Sequence, residues 1–186
     1  LKESQGPGGW LANVRGLAGT SSCRALGLVM AAAAPWAVAD SGRTAADCPP
    51  PETVTLQSLV NAARSAGGDC GSRGLRPAQP ALDWNDTLAA IASQQARWLA
   101  RIGALAHVGE SGQRLGDRAH AGGYRWRRIN ENLAMGQAAA GEAVADWLRS
   151  DEHCSNLLDP GVAEFALVCA ITARNQRVWV WVAGRR

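Results

Sequence analysis

Residues 165–182 are apolar on both faces of an extended chain. Phe165, Leu167 and Cys169 alternate with Ala166, Val168 and Ala170, and past Arg174-Asn175-Gln176 the residues Val178, Val180 and Val182 alternate with Trp179 and Trp181. Period-two alternation predicts a β-hairpin, and apolar residues at both parities mean that neither face of it can be left to water. Such a hairpin needs cover on both sides. The rest of the chain must therefore supply two layers of helices.

It carries the pattern for them. Thr53 opens an apolar series at Val54, Leu56, Leu59, Val60 and Ala63, which stops at Gly67-Gly68. That is a short amphipathic helix ended by glycine. A second helix is capped by Asn85 or Asp86 and runs through Leu88, Ile91, Ala92, Gln95, Trp98, Leu99 and Ile102 to Gly103. A short helix around Leu115 to Ala121 ends in Gly122-Gly123. Tyr124 to Met135 alternates loosely and reads as a strand around Trp126 and Ile129. Glu142 to Arg149 forms another helix with Ala143, Val144, Trp147 and Leu148 on one face. Asp69 to Pro80 reads as a loop, Ser150 to His153 comes after the last helix, and Asn156-Leu157-Leu158 precedes the Asp159-Pro160 stop. The order predicts an α+β fold, a three-layer α-β-α sandwich.

A chain of 186 residues makes one domain, here with a processed leader. Hydrophobic residues at 47% and charged residues at 19% describe a globular protein. The net charge of +3 is mild, and no basic stripe with interleaved aromatics argues for nucleic acid. Arg125, Arg127 and Arg128 cluster, as on a solvated strand edge. Residues 1–21 are rich in Gly and Ser. Arg24 then precedes the apolar run Ala25 to Ala34, and Ala37-Val38-Ala39 follows Pro35-Trp36. A basic flank, a short apolar core and a small-x-small site predict a signal peptide cut before Asp40, with an uncleaved anchor as the second reading. No later stretch reaches the roughly 18 apolar residues of a membrane span. The expected division is a leader over 1–39, a proline-bearing linker over 40–52 and a folded domain over 53–186. The product is expected to be monomeric and either secreted or periplasmic.

Cysteine usage agrees with export. Cys23 lies in the leader, which leaves Cys48, Cys70, Cys154 and Cys169. Four cysteines in an exported domain read as two disulfides, with three possible connectivities. Nearest-neighbour pairing, Cys48–Cys70 and Cys154–Cys169, is the expectation, each bridge worth about 3 kcal/mol in the chain-entropy model. There are no close Cys-x-x-Cys pairs to suggest a zinc site on the four.

Three residues invite chemistry. His107 stands where the second long helix has run out, where an imidazole also interacts well with the last carbonyls. Glu131 shares its parity with Ile129 and Leu133, so it points where core residues point, and a buried carboxylate needs a partner. His153 is the expected first partner and His107 the second. A structural His–Glu pair and a functional site both account for the pattern. Two neutral imidazoles could also hold a divalent metal such as Zn2+, with the carboxylate as ligand or orienting group. His120, at a polar helix end, is expected to be exposed and without a role. Ser111, Ser150 and Ser155 sit in no nucleophile elbow, and no glycine loop precedes a Lys-Ser/Thr pair.

Asn130-Glu131-Asn132-Leu133-Ala134-Met135-Gly136 resembles the Gly-Glu-Asn-Ile/Leu-Ala-x-Gly motif of the CAP superfamily, which comprises cysteine-rich secretory, pathogenesis-related 1 and bacterial SCP-like proteins. Trp147-Leu148-x-Ser150-x-x-His153-Cys154-x-Asn156-Leu157-Leu158-x-Pro160 is similar to the family's bacterial Trp-x-x-Ser-Pro-Gly-His-x-x-Asn-Ile-x-x-Pro motif. Leu105-Ala106-His107 with Gly109, Gly112 and Arg114, then Ala121 to Tyr124, resembles the segment around the family's first histidine. The likeness runs from about Leu56 to Gly184. It implies an α-β-α sandwich with a cleft lined by His107, Glu131 and His153. Where animal and plant members carry a second acid, this chain has Ser150, as bacterial members do. It departs further in Asp151-Glu152 for Pro-Gly, Asn130 for the motif glycine and Ala166 for a glycine. The resemblance implies a binding protein for a divalent cation or for a small apolar molecule such as a sterol or fatty acid, with a small-molecule, lipid or protein partner. A metal-dependent hydrolase with Glu131 as general base is the alternative reading.

Overall fold

The computed structural model describes residues 46–49 and 53–186, so the expected leader and most of the expected linker lie outside the described residues. The elements are β1 (Ala46–Asp47), α1 (Thr53–Ala66), β2 (Gly68–Asp69), β3 (Leu75–Arg76), β4 (Asp83–Trp84), α2 (Asp86–Ile102) and α3 (Leu115–Ala121). They are followed by β5 (Arg128–Met135), α4 (Ala140–Leu148), α5 (Asp151–Leu157), β6 (Glu164–Ile171) and β7 (Arg177–Arg185). A 3₁₀ turn, Gly71–Arg73, joins the small β2–β3 hairpin.

β6 and β7 form the hairpin, antiparallel with Leu167 opposite Trp181. β5 lies antiparallel on the other side of β7, with Glu131 opposite Val182. β1 and the parallel β4 both pair with β6, so the order is β1-β6-β7-β5 with β4 beside β6. β5 is thereby an edge strand.

The two parities of the hairpin feed two separate cores. Phe165, Leu167, Trp179, Trp181 and Ala183 pack with Leu56 and Val60 of α1, Val144 and Trp147 of α4 and Leu157 of α5. Ala166, Ala170, Val178, Val180 and Val182 pack with Leu88, Ile91, Ala92, Ala96 and Leu99 of α2 and Ala119 of α3. This is the expected three-layer sandwich. α2 is ordered at both ends: Asn85 Oδ1 accepts from Leu88 N at 3.0 Å and its amide donates to Glu164 Oε1 at 3.0 Å, while Gly103 closes the helix at φ +63°.

A buried guanidinium ties two of the helices together. Arg64 of α1 is fully buried and donates from Nε to Pro80 O (3.0 Å) and from Nη1 to Leu157 O (2.7 Å) and Asp159 O (3.1 Å). It thus satisfies carbonyls left over after α5 and fastens that helix to α1. Burial lowers its pKa, opposed by the charge of Asp159.

Several expectations need correction, among them the loop over Asp69 to Pro80, which carries the β2–β3 hairpin. The disulfides are nested instead of joining nearest neighbours: Cys48 bonds Cys169 and Cys70 bonds Cys154. The reason is the sheet. β1 sets Ala46 opposite Ile171 and Asp47 opposite Ala170, and Cys48 N then donates to Cys169 O at 3.2 Å, which brings the two Cα atoms within 5.3 Å. The segment expected as linker therefore contributes an edge strand and a bridge. Sequence separations of 121 and 84 make each loop long, so each bridge is worth about 4–5 kcal/mol in the chain-entropy model. Asp151–Leu157 is also a helix of its own, where only the segment following the Glu142–Arg149 helix was expected. It has only seven residues and buries only Cys154 and Leu157. β5 also begins at Arg128 rather than Tyr124.

Candidate functional site

Strand parity puts Glu131 with Leu133 on the α2/α3 side of β5, as expected, while Asn130, Asn132 and Ala134 face the α1/α4/α5 side. The Glu131 side chain is only 3% exposed, and both of its oxygens are engaged. His107 Nδ1 donates to Oε1 at 2.8 Å. Arg118, itself 4% exposed, donates from Nη2 to Oε2 and from Nη1 to the backbone oxygens of His107 (3.0 Å) and Gln113 (3.2 Å). The first partner of Glu131 is thus His107 rather than His153, and the balancing charge is an arginine.

Arg118 is the residue that reading the sequence missed. A signal for it exists. Leu115, Arg118, Ala119 and Gly122 fall at i, i+3, i+4 and i+7, so the arginine occupies the core-facing stripe of α3. Gln95, recognised only as a helix-face residue, holds the same loop from below: its Nε2 donates to Ala106 O at 2.8 Å and more loosely to Val108 O at 3.4 Å. The loop after α2 is therefore clamped on both sides of His107.

The clamp decides how His107 is presented. With Nδ1 committed to Glu131, Nε2 lies on the opposite edge of a side chain that is 61% exposed. The hydrogen bond to Glu131 raises the His107 pKa, burial works against it, and the charge of Glu131 adds to it over that of Arg118.

His153 comes from the other layer. It lies on α5, where its backbone oxygen accepts from Asn132 Nδ2 at 2.9 Å, and Asn132 Oδ1 accepts from Asn156 Nδ2 at 3.0 Å. These bonds fix α5 against β5. The His153 ring makes no direct hydrogen bond among the described residues. Burial lowers its pKa and the nearby charge of His107 lowers it further. The two histidines are thus carried by opposite layers beside β5, with Glu131 touching only one.

The substituted residues have their own partners. Asp151 accepts from Ser72 N (2.9 Å) and Ser72 Oγ (2.6 Å), which holds its pKa low, and Glu152 pairs with Arg73. With Cys70–Cys154 they clasp the Gly71–Arg73 turn onto α5, and neither acid is free for the cleft. Asn130 donates from Nδ2 to Asp159 Oδ2 at 2.7 Å. His120 is exposed, as expected. Among the described residues no group of three or more His, Cys, Asp and Glu side chains is arranged to hold a metal ion, and no helix is long and apolar enough to cross a membrane.

A sandwich of this topology, with a His–Glu pair at its edge strand, defines a recognisable class of protein. The model of the cysteine-rich secretory protein family, CAP, matches residues 57–183, and the chain belongs to that family. Among solved structures it is similar to an outer surface protein from Borrelia burgdorferi, at TM-score 0.63 and 21% identity over 76% of this chain and 98% of that one. It is similar also to an extracellular protein containing an SCP domain from Bacillus anthracis, at TM-score 0.56 and 21% identity over 72% of this chain and 40% of that one. Venom allergen-like protein 4 of Schistosoma mansoni aligns at TM-score 0.52 and 19% identity over 74% of this chain and 92% of that one. At such identities these likenesses speak for the fold. No curated protein matches the chain.

Proposed function

We propose that this is an exported CAP-domain binding protein whose cleft presents His107 and His153 to a divalent cation, with zinc the first choice for two imidazole nitrogens. The observation that carries the reading is the His107 Nδ1–Glu131 Oε1 bond of 2.8 Å, backed by buried Arg118. A carboxylate behind an imidazole fixes its tautomer and leaves the far nitrogen available, which is how ligating histidines are commonly held. Ligation requires both rings neutral, which the lowered pKa of His153 favours and the raised pKa of His107 opposes. The residues fit a site with two protein nitrogens, completed by solvent or by the bound molecule. Disulfides support export, as do the names of two structural relatives, an outer surface protein and an extracellular protein. The hydrolase reading is weaker, since Glu131 would have to act as base with both oxygens already engaged.

A small apolar ligand has a better place than the cleft. A groove of about 490 Å³ between α1 and the start of α4 is lined by Leu56, Leu59, Ala139, Ala140 and Trp179. Its walls suit an acyl or ring system rather than an ion.

Calorimetric titration of the protein with zinc tests the main reading. Uptake near neutral pH that is lost in both His107→Ala and His153→Ala is the expected result. Equal uptake by wild type and both variants would end it.

A further inference from the structure

The segment Tyr124 to Arg128 stands out in the sequence, and the cleft uses none of Arg125, Trp126 or Arg127. Trp126 is 43% exposed, yet it is not a loose side chain. Its Nε1 donates to Gly116 O at 3.2 Å, and its ring lies so close on α3 that a Cβ on Gly116 would meet Cζ2 at 2.7 Å. The Nε1–Cζ2 edge of the indole is therefore seated on a glycine of the helix, which fixes the ring while much of it stays exposed.

Beside the indole lies a concavity of about 420 Å³ lined by Gly116, Asp117, His120, Arg125 and Trp126. Several charges elsewhere on this surface are paired: Arg73 with Glu152, Arg101 with Glu110, Arg128 with Asp159, Arg149 with Asp146. Here, among the described residues, neither Arg125 nor His120 has a side-chain partner, and Asp117 uses only Oδ2, which accepts from Arg114 N at 3.0 Å. A rigid apolar plate is ringed by uncommitted donors and acceptors of both signs.

We infer that this concavity is a saccharide-binding site in which the C–H face of a pyranose ring stacks on Trp126 while Arg125, His120 and Asp117 hydrogen-bond its hydroxyls. The composition of the rim selects the ligand class. An acyl chain would need an apolar wall beyond the indole, and there is none. A nucleotide would stack as well, but its phosphate wants a basic track, and Asp117 stands beside Arg125 in the same lining. A neutral ring bearing hydroxyls on its edges and C–H groups on its faces uses both features together. The site is separate from the His107–His153 cleft and does not depend on metal binding.

Saturation-transfer NMR and calorimetry on the whole protein with maltotriose, cellotriose and chitotriose, and with AMP as the contrasting probe, test the assignment. Binding of at least one trisaccharide in preference to AMP is expected. Trp126→Ala should weaken it about tenfold or more, with Arg125→Ala smaller in effect. Gly116→Ala is the variant that guards against misfolding: alanine suits helical backbone, but its methyl would displace the indole, so binding should fall while the thermal midpoint holds. His107→Ala should bind the sugar as wild type does. Silence with all three trisaccharides, preference for AMP, or binding that survives both Trp126→Ala and Gly116→Ala would overturn the inference.

Discussion

Arg118 and Glu131 form an ion pair sealed between α3 and β5, their side chains 4% and 3% exposed, and through it a core charge governs a surface imidazole. The same guanidinium donates to the His107 carbonyl, so backbone and side chain of that residue are set by one group. The polar cluster is thus a support with a reactive edge rather than three equivalent ligands around an opening.

Removing one partner of this pair should be costly, because the other is left as an uncompensated buried charge. Arg118→Met and Glu131→Met are each expected to lose about 3–5 kcal/mol of stability, and the double variant much less than the sum. Denaturant titration of the four proteins closes the cycle. Additive losses would show that the pair is not coupled.

The two imidazoles should titrate on opposite sides of the ordinary value near 6.5. For His107, whose pKa is raised, the folded state gains stability that is present below the unfolded pKa and lost as pH rises through the folded one. His153 is depressed, so its contribution is present above the unfolded pKa and lost as pH falls toward the folded value. NMR titration of the ring protons should place His107 above and His153 below about 6.5. In His107→Ala the His153 midpoint should move up, since part of its depression is the charge of His107. An unmoved midpoint would mean that the two rings do not share the β5 edge.

Asn130, where the family motif has glycine, should be a stabilising choice in this chain. Burial works to raise the Asp159 pKa, but hydrogen bonds from Asn130, from Gly161 N and from Arg128 outweigh it and hold the carboxyl low. Asn130→Gly removes one of them and frees the backbone as well, for an expected loss of about 1–2 kcal/mol near neutral pH. A depressed carboxyl stabilises above its unfolded pKa, and that benefit disappears as pH falls through the folded value. The hydrogen-bond part of the difference between variant and wild type should therefore shrink in acid. Urea unfolding at neutral and acidic pH measures it, and a gap of constant size would remove Asp159 from the account.

Much of the fold is written in neighbouring residues. The alternation over 165–182 required a sheet covered on both faces, the spacing from Leu88 to Ile102 made α2, and the parity of Glu131 with Leu133 sent a carboxylate inward. Those are local facts, because a strand or a helix sets the direction of each side chain from its own backbone. What the sequence left open was always a matter of which distant segments meet. Cys48 found Cys169 because β1 completes the edge of β6, 121 residues away. Glu131 took Arg118 as its counter-charge because α3 folds down over β5, and α5 holds as a helix because the Gly71–Arg73 turn and Asn132 grip it. Periodicity specifies the face a residue presents. Only tertiary packing, in which two cores on one sheet bring three layers to a common edge, specifies what that face will touch.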